Sequence, residues 1–179
     1  MTHKTTLAAC LVALLLATLA ATAQAEKSAG DRVDDSTIAA TIKAGLLDNR
    51  STSSTQINVE SYQGTVQLSG FVDSQAEKDA AGKIASQTEG VHKVVNSLSI
   101  APKTSIGTKL DDSLTTGRVK AALMDAADVK SLQINVETKN GVTQLAGFVT
   151  SNGMKERAGT IAAGVNGVKQ VENVLVVKP

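Results

Sequence analysis

Few side chains in this sequence could do chemistry, and two aspartate pairs come first. Asp34-Asp35 and Asp111-Asp112 are adjacent carboxylates, the type of group used in acid–base catalysis or at a metal. Adjacent residues on a helix point to different sides, and no third ligand lies near either pair. Each pair is followed by a serine, Ser36 or Ser113. Asp and Ser are favoured helix N-caps and suit the positive end of the helix dipole, so both pairs are expected to cap helices. Lys78 and Lys155 stand beside Glu77 and Glu156 and read as solvated helix pairs. Beyond the first residues, His92 is the only histidine, too few for common zinc or iron sites. No phosphate-binding loop, G-x-G-x-x-G or G-x-S-x-G motif occurs. The expectation is no enzyme, with no catalytic residues, no metal and no cofactor, and with ligand-binding residues unknown. A carboxylate-based hydrolase is the enzymatic alternative.

The elements that position these residues occur twice. Ile57–Val72, INVESYQGTVQLSGFV, returns at Ile134–Val149 as INVETKNGVTQLAGFV, 77 residues on. From Val33 to Pro102, 31 of 70 positions match their counterparts at that offset. Such a chain is one unit read twice. Within the unit, Ile57 and Val59 alternate with Asn58 and Glu60, and Val66 and Leu68 alternate with Gln67 and Ser69. Period-two alternation predicts strands with one apolar and one polar face. Asn140-Gly141, and more weakly Gln63-Gly64, sit between the runs and mark tight hairpins. Gly70, Phe71, Gly147 and Phe148 are read as packing residues. Tyr62, at the hairpin tip, could be an exposed contact or could pack.

Before each hairpin an amphipathic helix of about four turns is expected, buried through Ile38, Ile42 and Leu46 in one copy and Leu114, Val119 and Leu123 in the other. After each comes a second helix, roughly 74–88 and 151–165, with Ser74 and Ser151 as N-caps and Gly90 and Gly167 as C-cap glycines. Val91 to Ile100 and Val171 to Val177 read as a last strand. The fold class is therefore α+β: two tandem αββαβ domains, each a three-stranded mixed sheet against two helices. The expected organisation is 1–25 leader, 33–101 first domain, 102–109 polar linker and 110–179 second domain. The linker permits docking of the two without requiring it.

Residues 1–25 read as a secretory signal peptide: a basic start at Lys4, an apolar run from Leu7 to Ala21, and Ala23-Gln24-Ala25 for cleavage. Leu7-Ala8-Ala9-Cys10 offers a poor lipobox, because Cys10 lies inside the apolar run. Without Lys4 the chain holds 17 basic and 17 acidic residues, which argues against a nucleic-acid binder. The second copy has eight basic and seven acidic residues against five and eight in the first, a small bias toward anionic surfaces.

The order of an Asp-headed helix, I-N-V, L-x-G-F-V, S-x-x-x-K and G-V-x-x-V-x-N, each present twice, resembles the BON domain of bacterial envelope proteins. The resemblance covers Asp34–Pro179. It implies the αββαβ fold, a periplasmic location and a non-enzymatic role in osmotic stress, acting on phospholipid membrane surfaces or as a chaperone for unfolded envelope proteins. A purely structural or small-ligand role is the alternative. The family offers no catalytic residues to carry over. The chain departs from the family's lipoproteins in its poor lipobox. Its oligomeric state is not legible in the residues.

Overall fold

A computed structural model describes residues 26–179 apart from 50–51, 53–55, 102 and 130. The leader and Cys10 lie outside the described residues, as does most of the loop before the first hairpin. Among the described residues, four helices and nine short strands build two like units. The first contains α1 (Glu26–Asp48), β1 (Ile57–Tyr62), β2 (Thr65–Val72), α2 (Gln75–Ser86), β3 (Lys93–Asn96) and β4 (Ser99–Ile100). The second contains α3 (Ile106–Asp125), a 3-10 turn at Ser131–Gln133, β5 (Asn135–Lys139), β6 (Val142–Ala146), β7 (Phe148–Val149), α4 (Asn152–Ala163), β8 (Gln170–Asn173) and β9 (Val176–Val177).

Each sheet has the hairpin's second arm at its centre. β1 pairs antiparallel with β2, and β3 and β4 pair parallel with it. β5, β6 and β8 repeat this, and β7 with β9 continues it beyond Gly147. The hairpin turns are two residues long, with positive φ at Gln63 and Gly64 and at Asn140 and Gly141. That is the turn whose twist matches paired strands. The last strand of the sequence reading is two strands, interrupted at Ser97-Leu98 and Val174-Leu175.

In each unit two helices cover the row of alternating apolar residues. Ile42, Leu46, Val66, Leu68, Val72, Ala81 and Ala85 are essentially inaccessible in the first, and Val119, Leu123, Leu145, Val149, Ala158 and Ala162 in the second. Small residues on α2 and α4 let those helices lie close to the sheet. Ser74 and Ser151 cap them as expected, accepting from Glu77 N and Met154 N.

Several expectations change. The aspartate pairs do not cap helices, since α1 and α3 begin well before them and Ser105 caps α3. Half of the expected linker, Ile106–Lys109, is helix. Leu114 is not in the second core: it is 52% exposed, and Thr115 takes the buried place. Gly90 and Gly167 do not cap α2 and α4, which close at Gln87 and Gly164. They stand in the following turns at positive φ, where a Cβ would meet Ile38 or Thr115. Lys78 and Lys155 are not solvated pairs. Their ammonium groups donate to Leu98 O and Leu175 O at 2.6 and 2.7 Å, and Asn96 and Asn173 donate back to Lys78 O and Lys155 O. Each lysine thus ties its helix to the interruption in the last strand.

Candidate functional site

The polar face of the hairpin is buried in both units. Gln67, Ser69 and Phe71 alternate with the core row on β2, yet all are at most 3% exposed. Gln144, Ala146 and Phe148 on the second unit are buried likewise. The two sheets pack against each other through these faces, and the contacts obey the 77-residue offset. Gln67 Oε1 accepts Gly147 N at 2.9 Å, and Gln144 Oε1 accepts Gly70 N at 2.6 Å. Gln67 Nε2 donates to Val174 O at 2.7 Å, and Gln144 Nε2 to Ser97 O at 3.0 Å. Each glutamine therefore bridges the other unit's central strand and its last strand. The approximate two-fold symmetry follows from the duplication, because like faces meet like faces as in an isologous dimer.

Gly70 and Gly147 are required by their backbone conformation and by the strand-edge backbone beside them. They hold φ of +110° and +121°, in a region L side chains avoid. An added Cβ would meet Gln56 O or Gln133 O of its own unit, and Glu137 or Glu60 of the other. The phenylalanines pack as expected, but at the interface instead of within a unit's core. Phe148 lies 5.6 Å from Tyr62, ring to ring, and Lys178 Nζ sits 4.5 Å above the Tyr62 ring. Tyr62 is thus a packing residue.

The aspartates hold the hairpin tips. Asp35 accepts from Ser61 Oγ, Gln63 N and Gly64 N at 2.6, 2.6 and 3.0 Å. Asp112 accepts from Asn140 N and Gly141 N at 2.8 and 2.9 Å. Each second aspartate is a fixed acceptor for a turn's amides, which accounts for an Asp at both positions without catalysis. For Asp35, burial acts to raise the carboxyl pKa, but the Ser61, Gly64 and Gln63 hydrogen bonds outweigh it and the net direction is down.

Glu60 and Glu137 sit at opposite ends of the interface. Burial raises both carboxyl pKa values. Lys43 opposes this at Glu60, and Asn58, Lys120 and Lys139 oppose it at Glu137. The folded chain therefore holds these protons more tightly than the unfolded chain. That stabilisation is complete below the ordinary glutamate value of 4.5 and is lost as pH rises through the raised folded values. Asp35 works oppositely: its contribution is present above 3.8 and is lost as pH falls through its lowered folded value. Glu60→Gln with Glu137→Gln is expected to raise the urea midpoint at pH 7 and to flatten its decline above pH 4.5. An unchanged slope would remove both residues from this role.

With the sheet faces closed, exposed apolar surface concentrates on α3. Ile106, Leu110, Leu114 and Met124 are 87, 64, 52 and 67% exposed. At 100° per residue they share one side with Gly117 and Ala121, opposite Val119 and Leu123. α3 thus has an apolar face on both sides. Lys109 and Lys120 border one edge of the outer stripe, and Arg118, Asp111 and Asp125 border the other. The sequence reading missed it because helix onset at Asp111 left Ile106 in the linker and Leu110 ahead of the helix. Steps of four from Ile106 to Leu114 were the available signal. His92 is exposed and pairs through its backbone N–H with Gly64 O at 2.8 Å. Among the described residues no cluster of three metal-ligating side chains occurs, and no helix is long and apolar enough to cross a membrane.

The BON domain family matches the chain twice, over residues 34–102 and 111–179. The chain is 42% identical to osmotically-inducible protein Y of Escherichia coli over 151 residues, 83% of this chain and 75% of that protein. It is 32% identical to the outer membrane lipoprotein DolP of Haemophilus influenzae over 82% of this chain and 76% of that protein. Against a 21 kDa hemolysin of Actinobacillus pleuropneumoniae the identity is 30%, over 83% and 76%. Among solved structures, the C-terminal domain of CdsD of Chlamydia trachomatis aligns over 81% of this chain and 67% of that one, with a TM-score of 0.33 and 14% identity, a likeness too low to bear on function.

Proposed function

The chain belongs to the BON domain family, carrying two copies of the domain, and we propose that it is a non-enzymatic, periplasmic stress protein whose outer α3 face meets an anionic phospholipid surface. The observation that carries this reading is the exposed stripe from Ile106 to Met124 on a pair whose sheet faces are closed. A helix with an outward apolar face and cations along its edge lies in the headgroup boundary of a membrane. The envelope location is supported by the lipoprotein relative, named for the outer membrane, and by the leader-like residues 1–25. The stress role is supported by the osmotically inducible relative.

Cosedimentation with phosphatidylglycerol vesicles tests this directly. Leu110→Gln with Leu114→Gln is expected to weaken partitioning by about 2 kcal/mol, roughly thirtyfold, from lost apolar burial. Folding should be unaffected, because both side chains are exposed. Equal binding by the variant and the parent would contradict the reading. Absent vesicle binding, with suppression of aggregation of an unfolded outer-membrane polypeptide, would assign the stripe to client proteins.

A further inference from the structure

The docked pair leaves a cleft at each end of the interface, and the 77-residue offset relates the two. In the second, lined in part by Gln56, Asn58, Glu137 and Lys139, the charged groups of the hairpin are matched within the chain. Glu137 accepts Asn58 Nδ2 at 2.6 Å. Lys139 Nζ donates to Gln56 Oε1 at 3.2 Å and lies 3.6 Å from Asp73. The first cleft, of about 820 Å³, is lined by Asp35, Glu60, Tyr62, Gln133, Phe148 and Lys178, and two of its charges are not matched. Asn135 is the offset counterpart of Asn58, yet among the described residues no group donates a hydrogen bond to the Glu60 carboxylate. Burial pushes its pKa up, with only the charge of Lys43 opposing. Tyr62 stands where the second hairpin has Lys139, and the cation is instead Lys178, where the first unit has Ala101. The Lys178 backbone N–H donates to Val149 O at 2.8 Å, and its ammonium lies 4.5 Å above the Tyr62 ring. It has no ion pair: those among the described residues join Lys103 and Lys139 to Asp73 and Arg157 to Asp128.

We propose that the first cleft binds a small free zwitterion, an aminocarboxylate whose ammonium group meets Glu60 and whose carboxylate meets Lys178. The two side chains come from different units and reach one cleft without pairing with each other, so the gap between them suits a molecule that carries both charges. The ammonium supplies the hydrogen-bond donors that the half-buried Glu60 lacks. The carboxylate gives Lys178 an ion pair in addition to its ring contact. A lone anion in the cleft would face Glu60 and a lone cation would face Lys178, whereas an aminocarboxylate is repelled by neither. Tyr62 and Phe148, with rings 5.6 Å apart, offer an apolar wall to the methylenes between the charges. Asp35 already accepts from Ser61, Gln63 and Gly64, which leaves Glu60 as the one available carboxylate, too few for a hard metal ion. Glu60 Oε2 lies 2.9 Å from where a Cβ on Gly147 would stand, so this carboxylate reaches the other unit and the cleft exists only in the docked pair. Clefts of this volume between domains are the usual seats of small molecules. The site is independent of α3 and of the lipid surface proposed above.

The test is an NMR titration of the full chain with glycine, β-alanine, γ-aminobutyrate and ε-aminocaproate, which step the distance between the two charges. Saturable shifts at the Tyr62, Phe148 and Lys178 amides are expected with the member whose length fits, together with a fall in the Glu60 pKa as the ammonium arrives. Butylamine and butyrate, each with one of the two charges, should bind at least about tenfold more weakly. Glu60→Gln and Lys178→Gln should each weaken binding about tenfold, and Glu137→Gln, at the other end of the interface, less than about twofold. Equal binding of butylamine would overturn the proposal in favour of a simple cation site, and equal binding of butyrate in favour of an anion site on Lys178. An equal loss with Glu137→Gln would overturn the placement in this cleft. No saturable shift with any member of the series, in a chain whose spectrum is intact, would overturn the proposal outright.

Discussion

Gly147→Ala is expected to cost about 4 kcal/mol. The residue holds φ +121°, and its new Cβ would overlap Gln133 O and lie 2.9 Å from Glu60 Oε2. The conformation alone accounts for roughly 1–3 kcal/mol. The forced shift of backbone accounts for about as much again. The main obstacle is backbone of the same unit, the 3-10 turn at Gln133, while the Glu60 carboxylate of the other unit can swing aside. Gly70→Ala meets the same obstacles, with Gln56 O in the way of its Cβ. Gly117→Ala is the contrast: this helical glycine on α3 has nothing within 4 Å of an added Cβ, and the change should stabilise by about 0.5–1 kcal/mol. Urea midpoints distinguish the two. If Gly147→Ala unfolded at the parent's midpoint, the tight seat of Gly147 against Gln133 O would be wrong.

Gln67→Leu is expected to cost about 2–4 kcal/mol, although it keeps volume and adds apolar surface. The change leaves Gly147 N–H and Val174 C=O without their interface partner, and each orphaned buried group costs about 1–3 kcal/mol. Gln144→Leu does the same to Gly70 N–H and Ser97 C=O. If the interface opens as a whole, the double variant should cost little more than the worse single one, because the second change acts on a surface already undocked. Its unfolding should also separate into two transitions, since each unit of about 70 residues buries a small core. Additive losses with one sharp transition would mean that the two glutamines do not hold a common interface.

How much could be read from the sequence differs between residues in physical terms. The duplication, the hairpins and the helix-to-sheet cores were legible, since period-two and step-of-four patterns report burial within a unit. Gln67 and Gln144 were visible as identical positions on a polar face, but alternation cannot tell a polar face against water from one against another domain. Asp35 and Asp112 were misplaced for a related reason. Asp before Ser signals a helix start, and only the fold shows that their carboxylates accept from turn amides 28 and 29 residues away. Leu114 was assigned to the core, whereas five residues from Val119 it lies about 140° round the helix from the buried side and faces outward. Ile106 and Leu110 then complete a stripe that the polar look of Lys103–Lys109 concealed.

The most direct measurement is an amide chemical-shift titration of the full chain with anionic phospholipid micelles. A docked pair that uses α3 should show shifts along Ile106 to Met124, with Gln67, Gly70, Gln144 and Gly147 unmoved. Shifts centred on those interface residues would mean that the units part and offer their sheet faces to lipid, which contradicts the account.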